Sequence, residues 1–249
     1  MARRPLARRL AAALAGGWVL AGVAQPLPVK VCLPDIDAPP YMYRDTGRMG
    51  IFNRLLTDAG REAGLQVTIL RLPSVRCRLA LNTGETDTIT LPPIPVYLDL
   101  LDFPLGPQGQ PDSALRVGRI QFLLLRRRGE GLDWDGVRLS NPKVVVGVRR
   151  GVTTLVERLQ GLGVTVDDQA FAVDQLLAKL RAGRVDLAAM SREEFQAARP
   201  SGIEALGQPL LSTDIHLAAS RRLASPLRER IAAWREQIAR LRDLPAYRD

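Results

Sequence analysis

Histidine and cysteine, which recur in metal sites and nucleophilic catalysis, are almost absent from this sequence. Its 249 residues include one histidine, His216, and two cysteines, Cys32 and Cys77. A zinc site needs clustered cysteine and histidine ligands, and a catalytic triad needs a histidine within reach of a nucleophile. No nucleophile motif or metal-ligand spacing accompanies His216, which lies in a predicted strand. We therefore predict a structural histidine, no metal site, no cofactor and no catalytic residue.

The sequence also lacks low-complexity tracts and the signatures of RNA-binding domains. Hydrophobic residues make up 46% and charged residues 24%, which is typical of a packed globular protein. The formal net charge of +9 reflects 35 Lys and Arg against 26 Asp and Glu, and most arginines are scattered. This pattern argues against a nucleic-acid partner and favours a solvated basic surface, with an anionic ligand or a membrane surface as alternatives.

The first 24 residues have the pattern of a secretory signal peptide. Arginines at positions 3, 4, 8 and 9 precede an apolar stretch over residues 10–20, and the small residues Gly22 and Ala24 precede Gln25. The apolar stretch is shorter than a membrane-spanning helix, which needs about 20 residues. We predict export and cleavage next to Gln25, with an uncleaved membrane anchor as the alternative.

Export would bring Cys32 and Cys77 into an oxidising compartment, where two thiols can pair. Cys32 falls in the first predicted strand and Cys77 shortly after the second, so a bond between neighbouring elements is sterically feasible. Two alternatives stay open: a disulfide, or two buried free thiols.

Predicted strands and helices alternate in two successive units, which indicates parallel sheets with crossover helices. The fragments at residues 81–87 and 180–186 repeat the pattern L-x-x-G-x-x-D near the end of the second helix of each unit. A glycine there closes the helix in the left-handed conformation, and we expect the aspartate to pair locally. Strands are predicted at residues 29–33, 66–70, 86–91, 120–125, 143–148, 164–171, 184–189 and 214–219, and helices at residues 75–83, 153–160, 174–182 and 226–241, with another from Gly50 and one from Ser191.

The order of these segments and several short motifs resemble the bacterial periplasmic solute-binding proteins of family 3, the polar-amino-acid type associated with ABC transporters. The resemblance implies an α/β, two-lobed periplasmic-binding-protein fold in which each lobe is a parallel-type sheet flanked by helices, with a two-strand hinge (type II). Lobe one would comprise residues 25–119 plus 212–249, and lobe two residues 120–211. The motifs are a PPY loop at residues 38–43, a glycine-containing helix entry at residues 47–53, the two L-x-x-G-x-x-D fragments, and residues 95–104 and 144–154.

Ligands of open parallel sheets bind beyond the carboxyl ends of the strands, where helix N-termini offer free amides to anions. We therefore predict a ligand site between the lobes. Its candidate residues are Asp35, Tyr41, Tyr43, Arg76 and Leu91 in lobe one and Arg150, Gly151, Thr153 and Thr154 in lobe two.

Two departures from the family pattern affect the expected ligand. The family's carboxylate-binding arginine has no counterpart in residues 92–97, and its ammonium-binding aspartate has none near Met190 and Ser191. These absences disfavour an ordinary α-amino acid and favour another small polar or anionic solute.

The sequence thus predicts a monomeric periplasmic solute-binding protein that is not an enzyme and serves an ABC importer through an inner-membrane permease. The alternatives are a secreted enzyme on the same fold, similar to the cyclohexadienyl dehydratases, and a sensor or accessory binding protein without a transporter.

Overall fold

A computed structural model describes residues 25–44 and 47–247 of the chain. Strands and helices alternate through most of this part, as the sequence pattern predicts. The strands are β1 (Leu27–Pro34), β2 (Leu65–Leu72), β3 (Thr88–Leu91), β4 (Leu101–Asp102), β5 (Arg116–Arg127), β6 (Val145–Arg149), β7 (Thr165–Ala170), β8 (Leu187–Ser191), β9 (Ile203–Ala205) and β10 (Leu211–Ser220). The helices are α1 (Ile51–Glu62), α2 (Ser74–Thr83), α3 (Pro95–Leu98), α4 (Thr153–Gln160), α5 (Val173–Arg181), α6 (Arg192–Ala198) and α7 (Ser225–Arg242).

The strands form two parallel units joined by an antiparallel pair. The order along the sheet is β2-β1-β3-β10-β5-β8-β6-β7, with β4 paired to β10 and β9 to β5. β1 pairs in parallel with β2 and β3, and β6 pairs in parallel with β7 and β8. β5 and β10 run antiparallel to each other between the units. This arrangement confirms the predicted two-lobed α/β fold with two connecting strands.

The connecting strands change partners along their length. β5 pairs with β10 up to Phe122, and from Phe122 onward it pairs with β8 and β9. β10 pairs with β5 up to His216 and with β3 from His216 to Ala219. The predicted lobe boundaries, at residues 119–120 and 211–212, lie within these two strands.

Each lobe buries apolar side chains on both faces of its strands. In lobe one, α1 and α7 cover one face around the fully buried Trp234, and α2 covers the other, where Cys32 and Cys77 form a disulfide with Cα atoms 5.5 Å apart. In lobe two, the apolar stripe of α4 covers one face and that of α5 covers the other. α7 packs on lobe one through Ile231, Trp234 and Ile238.

The two L-x-x-G-x-x-D fragments have the structural role expected of them. Gly84 and Gly183 follow α2 and α5 with φ of +78° and +67°. The carboxylates of the two aspartates then accept neighbouring backbone amides, from Lys30 to Asp87 at 2.8 Å and from Val145 to Asp186 at 2.7 Å. Asp87 therefore holds the fourth residue of β1, and Asp186 holds the first residue of β6, which are the central strands of the two lobes.

The predicted signal peptide, residues 1–24, lies outside the described residues. Among the helices of residues 25–44 and 47–247, none combines the length and the apolar character needed to cross a membrane. The short elements α3, β4 and β9 were not predicted from the sequence, because each is too short to show a periodic pattern.

Candidate functional site

A cleft between the lobes holds a cavity of about 120 Å³. Lobe one contributes the ends of β1 and β3, the first turn of α2, and α3, while lobe two contributes the turn before α4 and the start of α6. The connecting strands supply Phe122 and Ile215. The cavity is lined by Pro34, Ile36, Ser74, Cys77, Arg78, Ile89, Thr90, Leu91, Pro92, Tyr97, Phe122, Arg149, Gly151, Val152, Thr153, Thr154, Ser191, Glu194 and Ile215.

Four of the residues predicted from the sequence line this cavity. Leu91 ends β3, and Gly151, Thr153 and Thr154 form the turn into α4. Gly151 has φ of +87°, a conformation that glycine adopts without strain, and it turns the chain from β6 toward the helix. Thr153 and Thr154 are the first residues of α4, and their backbone amides donate to no other group in the described part of the chain. The turn therefore offers two free N–H donors to the cleft.

Arg78, rather than the predicted Arg76, brings positive charge to the cavity. Arg76 is exposed and does not line the cleft, whereas Arg78 is half-buried and does. The two lie on nearly opposite sides of α2, because two residues turn a helix by about 200°. The Arg78 guanidinium carbon is 5.9 Å from the centre of the Tyr97 ring, and no described carboxylate pairs with it.

Tyr97 connects the lobes directly. It lies on α3 in lobe one, and its hydroxyl oxygen is 3.3 Å from the hydroxyl oxygen of Thr153 on α4. This hydrogen bond spans the cleft beside Arg78. The lobes therefore have a polar contact at the cavity as well as the two connecting strands.

Arg149, rather than the predicted Arg150, lies in the cavity wall. Its guanidinium forms an ion pair of 2.5 Å with Glu194, whose side chain is 4% exposed. The second carboxylate oxygen of Glu194 accepts the backbone amide of Ser191 at 3.2 Å and its hydroxyl at 3.1 Å. Arg150 is exposed and donates instead to Gln169 at 2.6 Å. The ion pair leaves the lobe-two wall electrically neutral.

The remaining predicted residues have partners outside the main cavity. Asp35 is 4.0 Å from Arg44 in an ion pair at the surface. The Tyr41 ring packs 5.3 Å from that of Phe52, as part of the lobe-one core. Tyr43 lies under the Arg48 guanidinium, with 4.0 Å between the guanidinium carbon and the ring centre. The loop after β1 therefore turns these side chains away from the cavity, and Ile36 takes their place in its wall.

His216 is buried in lobe one, outside the cavity lining. Its Nε2 atom is 3.0 Å from the Asp112 carbonyl oxygen, and its ring is edge-on to Phe103. Burial lowers the pKa of His216, with the Asp112 contact opposing that shift. These contacts fit the predicted structural role. No cluster of His, Cys, Asp or Glu in residues 25–44 and 47–247 is arranged to hold a metal ion.

Sequence reasoning missed several polar residues of the cavity, among them Arg78, Tyr97, Arg149 and Glu194. Helical phase did not favour Arg78 over Arg76, since each lies about 100° around α2 from the buried Cys77. Glu194 had a local signal, because Ser191 and Glu194 form the S-x-x-E pattern of a capping box, which the structure contains. No local sequence signal indicated that Glu194 pairs with Arg149.

The fold is that of two-lobed periplasmic binding proteins. No protein-family model matches the chain, and no curated protein resembles it in sequence. Solved structures do match at low identity. An arginine third transport system periplasmic binding protein from Legionella pneumophila is 13% identical with a TM-score of 0.66, over 89% of this chain and 96% of that one. A histidine kinase sensor domain with similarity to periplasmic binding proteins is 18% identical with a TM-score of 0.68, over 90% and 93%.

A third match is the GluR0 ligand-binding core from Nostoc punctiforme in complex with L-glutamate. It is 16% identical with a TM-score of 0.63, over 89% of this chain and 95% of that one. At such identities the likeness establishes the shared fold, in which two α/β lobes enclose a cleft.

Proposed function

We propose that this chain is a monomeric periplasmic solute-binding protein that captures a small solute with an anionic or strongly polar group between its lobes. It would deliver the solute to an ABC importer through an inner-membrane permease, without chemical turnover. The observation that carries the proposal is the position of Arg78, which has no carboxylate partner among the described residues and lies in the same cavity as the free amides of Thr153 and Thr154.

The two lobes would hold the anionic group together. Arg78 supplies a guanidinium from lobe one, and the N-terminus of α4 supplies amides and a partial positive charge from lobe two. An anion bound by both would draw the lobes together. Periplasmic location and transport are supported by the fold shared with transport-system binding proteins, together with the signal-like pattern of residues 1–24.

A thermal-shift screen across amino acids, monocarboxylates, dicarboxylates and amines tests the proposal, because a ligand of the native state raises the melting temperature. Arg78→Ala should weaken binding of any hit about thirtyfold, or about 2 kcal/mol, as expected for a charge-assisted contact. Arg76→Ala is the matched control on the exposed side of the same helix and should leave affinity unchanged. Equal affinity in wild type and Arg78→Ala would contradict the proposed site.

A sensor role is the second candidate, favoured by the match to the histidine kinase sensor domain. Uptake of the identified solute separates the two roles. Loss of uptake on deletion of the gene supports transport, whereas intact uptake with altered gene expression supports sensing. Recovery of the solute chemically changed after incubation with purified protein would instead reveal an enzyme.

A further inference from the structure

We infer that the cleft is built for a small monocarboxylate with an apolar body and no ammonium group. The inference rests on the proposed function, since it names the class of solute that the same cavity accepts. It would separate this chain's ligand from the arginine and glutamate bound by the matched proteins.

The charges around the cavity favour an anion over an ammonium group. Arg78 is a cation without a carboxylate partner in the described chain, whereas Arg149 is neutralised by Glu194. Glu194 is the one described carboxylate in the lining, and both of its oxygens already have partners, Arg149 on one and Ser191 on the other. The cavity therefore has one positive charge in excess and no free carboxylate. An anion is stabilised there, and an ammonium group has no counter-ion.

The Arg149–Glu194 pair also borders a second cavity, which contains other carboxylates. This second cavity of about 150 Å³ shares Ile36, Arg149 and Glu194 with the first, and Asp37 and Asp174 are in its wall. Neither Asp37 nor Asp174 lines the cavity that contains Arg78. Asp37 already accepts the Arg44 backbone amide at 2.7 Å. The acidic groups of this second cavity are thus separated from a carboxylate held by Arg78.

The apolar walls and the size of the cavity favour a small apolar body. An apolar cavity of about 150 Å³ accepts a molecule of the size of benzene, which has six heavy atoms, so about 120 Å³ suits a body of roughly five heavy atoms. An unpaired ammonium group in such walls would lose its hydration without compensation. The apolar lining consists of Pro34, Ile36, Ile89, Leu91, Pro92, Phe122, Val152 and Ile215, with the aromatic ring of Tyr97 beside Arg78.

Isothermal titration of the purified protein with matched probes tests the inference. 3-Methylbutanoate and valine differ by the ammonium group alone, as do butanoate and 2-aminobutanoate, and 3-methylbutanamide removes the negative charge. We expect each monocarboxylate to bind at least about tenfold more tightly than its amino acid, and the amide to bind at least about tenfold more weakly than 3-methylbutanoate.

Three variants assign the effect to the cavity. Arg78→Gln should reduce monocarboxylate affinity by at least about tenfold, while Arg76→Gln and Asp174→Asn should leave it within about twofold. Retained affinity in Arg78→Gln would overturn the inference. So would an amino acid that binds as tightly as its monocarboxylate, or a failure of every monocarboxylate to bind. If valine binds as tightly as 3-methylbutanoate and Arg78→Gln abolishes that binding, the inference fails while the proposed function stands. If the broad screen finds no ligand, both fail.

Discussion

The two lobes share a scaffold but contribute different chemistry to the cleft. Each has a central parallel strand, β1 or β6, in which one backbone amide is held by the aspartate of an L-x-x-G-x-x-D fragment. At the carboxyl ends of the strands they diverge. Lobe one presents a disulfide and Arg78, which pairs with no described carboxylate. Lobe two presents amides that donate to no described group and a neutralised ion pair. The scaffold repeats, and the loops and first helical turns at the cleft determine what each lobe can bind.

The largest effect we expect comes from the buried tryptophans, one in each lobe. Trp234 of lobe one is fully buried, and its indole N–H donates to the Leu56 carbonyl at 2.9 Å. Trp234→Ala should cost about 5 kcal/mol of unfolding free energy in urea titrations, because the packed α1–α7 interface cannot close the cavity left behind. Trp134 lies in a lobe-two loop with a longer bond of 3.4 Å to Pro209, and Trp134→Ala should cost about 3 kcal/mol. Equal losses of unfolding free energy in the two variants would show that the loop site and the helix site close their cavities to the same extent.

The disulfide should make lobe one selectively dependent on oxidation. Cys32 and Cys77 are 45 residues apart, so their bond removes about 4 kcal/mol of chain entropy from the unfolded state. The double variant Cys32→Ala, Cys77→Ala should unfold at lower urea concentration. Relative to wild type, its amide hydrogen exchange should accelerate more in β1–β3 than in β6–β8. Uniform acceleration in both lobes would contradict a lobe-specific role.

Acid should weaken the two lobes unequally. Burial raises the pKa of Asp214, but hydrogen bonds from Arg119 and Ser113 outweigh it, so the net pKa lies below the ordinary value. The hydrogen bond from Lys179 lowers the pKa of Asp167 in lobe two. A lowered folded-state pKa gives stability above the unfolded value of about 3.9, which is lost as pH falls through the folded value. Asp214→Asn should flatten this acid-limb loss by about 1 kcal/mol, and the more exposed Asp167→Asn by about 0.5 kcal/mol or less. Urea titrations from pH 6 to pH 2 measure the unfolding free energy of wild type and both variants. If either variant loses more stability than wild type as the pH falls, the expected direction of the effect is wrong.

A similarly small effect concerns the contact between the lobes. Tyr97→Phe removes the hydroxyl that meets Thr153 across the cleft. A double-mutant cycle with Thr153→Val should give a coupling of about 1 kcal/mol or less, because both hydroxyls are half-buried and water replaces each partner. The cycle compares the ligand affinities of wild type, the two single variants and the double variant, measured by calorimetry. Additive losses would mean that the two hydroxyls act independently.

The repeated scaffold could be predicted from the sequence because its signals are local. Helical periodicity, the glycines at positions 84 and 183 and the alternation of elements each occur within about 15 residues, and α4 has the predicted bounds of residues 153–160. Leu91, Gly151, Thr153 and Thr154 were found for the same reason, since strand ends and helix starts define where ligands bind.

The charged residues of the cleft could not be fully predicted because their roles depend on distant partners. Arg149 and Arg150 are adjacent, and their difference is set by Glu194, which the fold brings to the end of β6. The choice between Arg76 and Arg78 depends on which side of α2 packs on β1. Tyr41 and Asp35 follow a strand that ends at the cleft, but the loop turns both away from it.

If the chain binds a solute as proposed, the connecting strands take a direct part in ligand selection. Phe122 of β5 and Ile215 of β10 lie in the cavity wall, at the positions where these strands pass from one lobe to the other. Any change in the angle between the lobes therefore moves part of the surface on which the solute rests. Solute length and interlobe angle are consequently coupled, so a body one methylene too long would hold the lobes apart. A receptor that recognises only one interlobe angle would thereby discriminate between solutes that it does not contact itself.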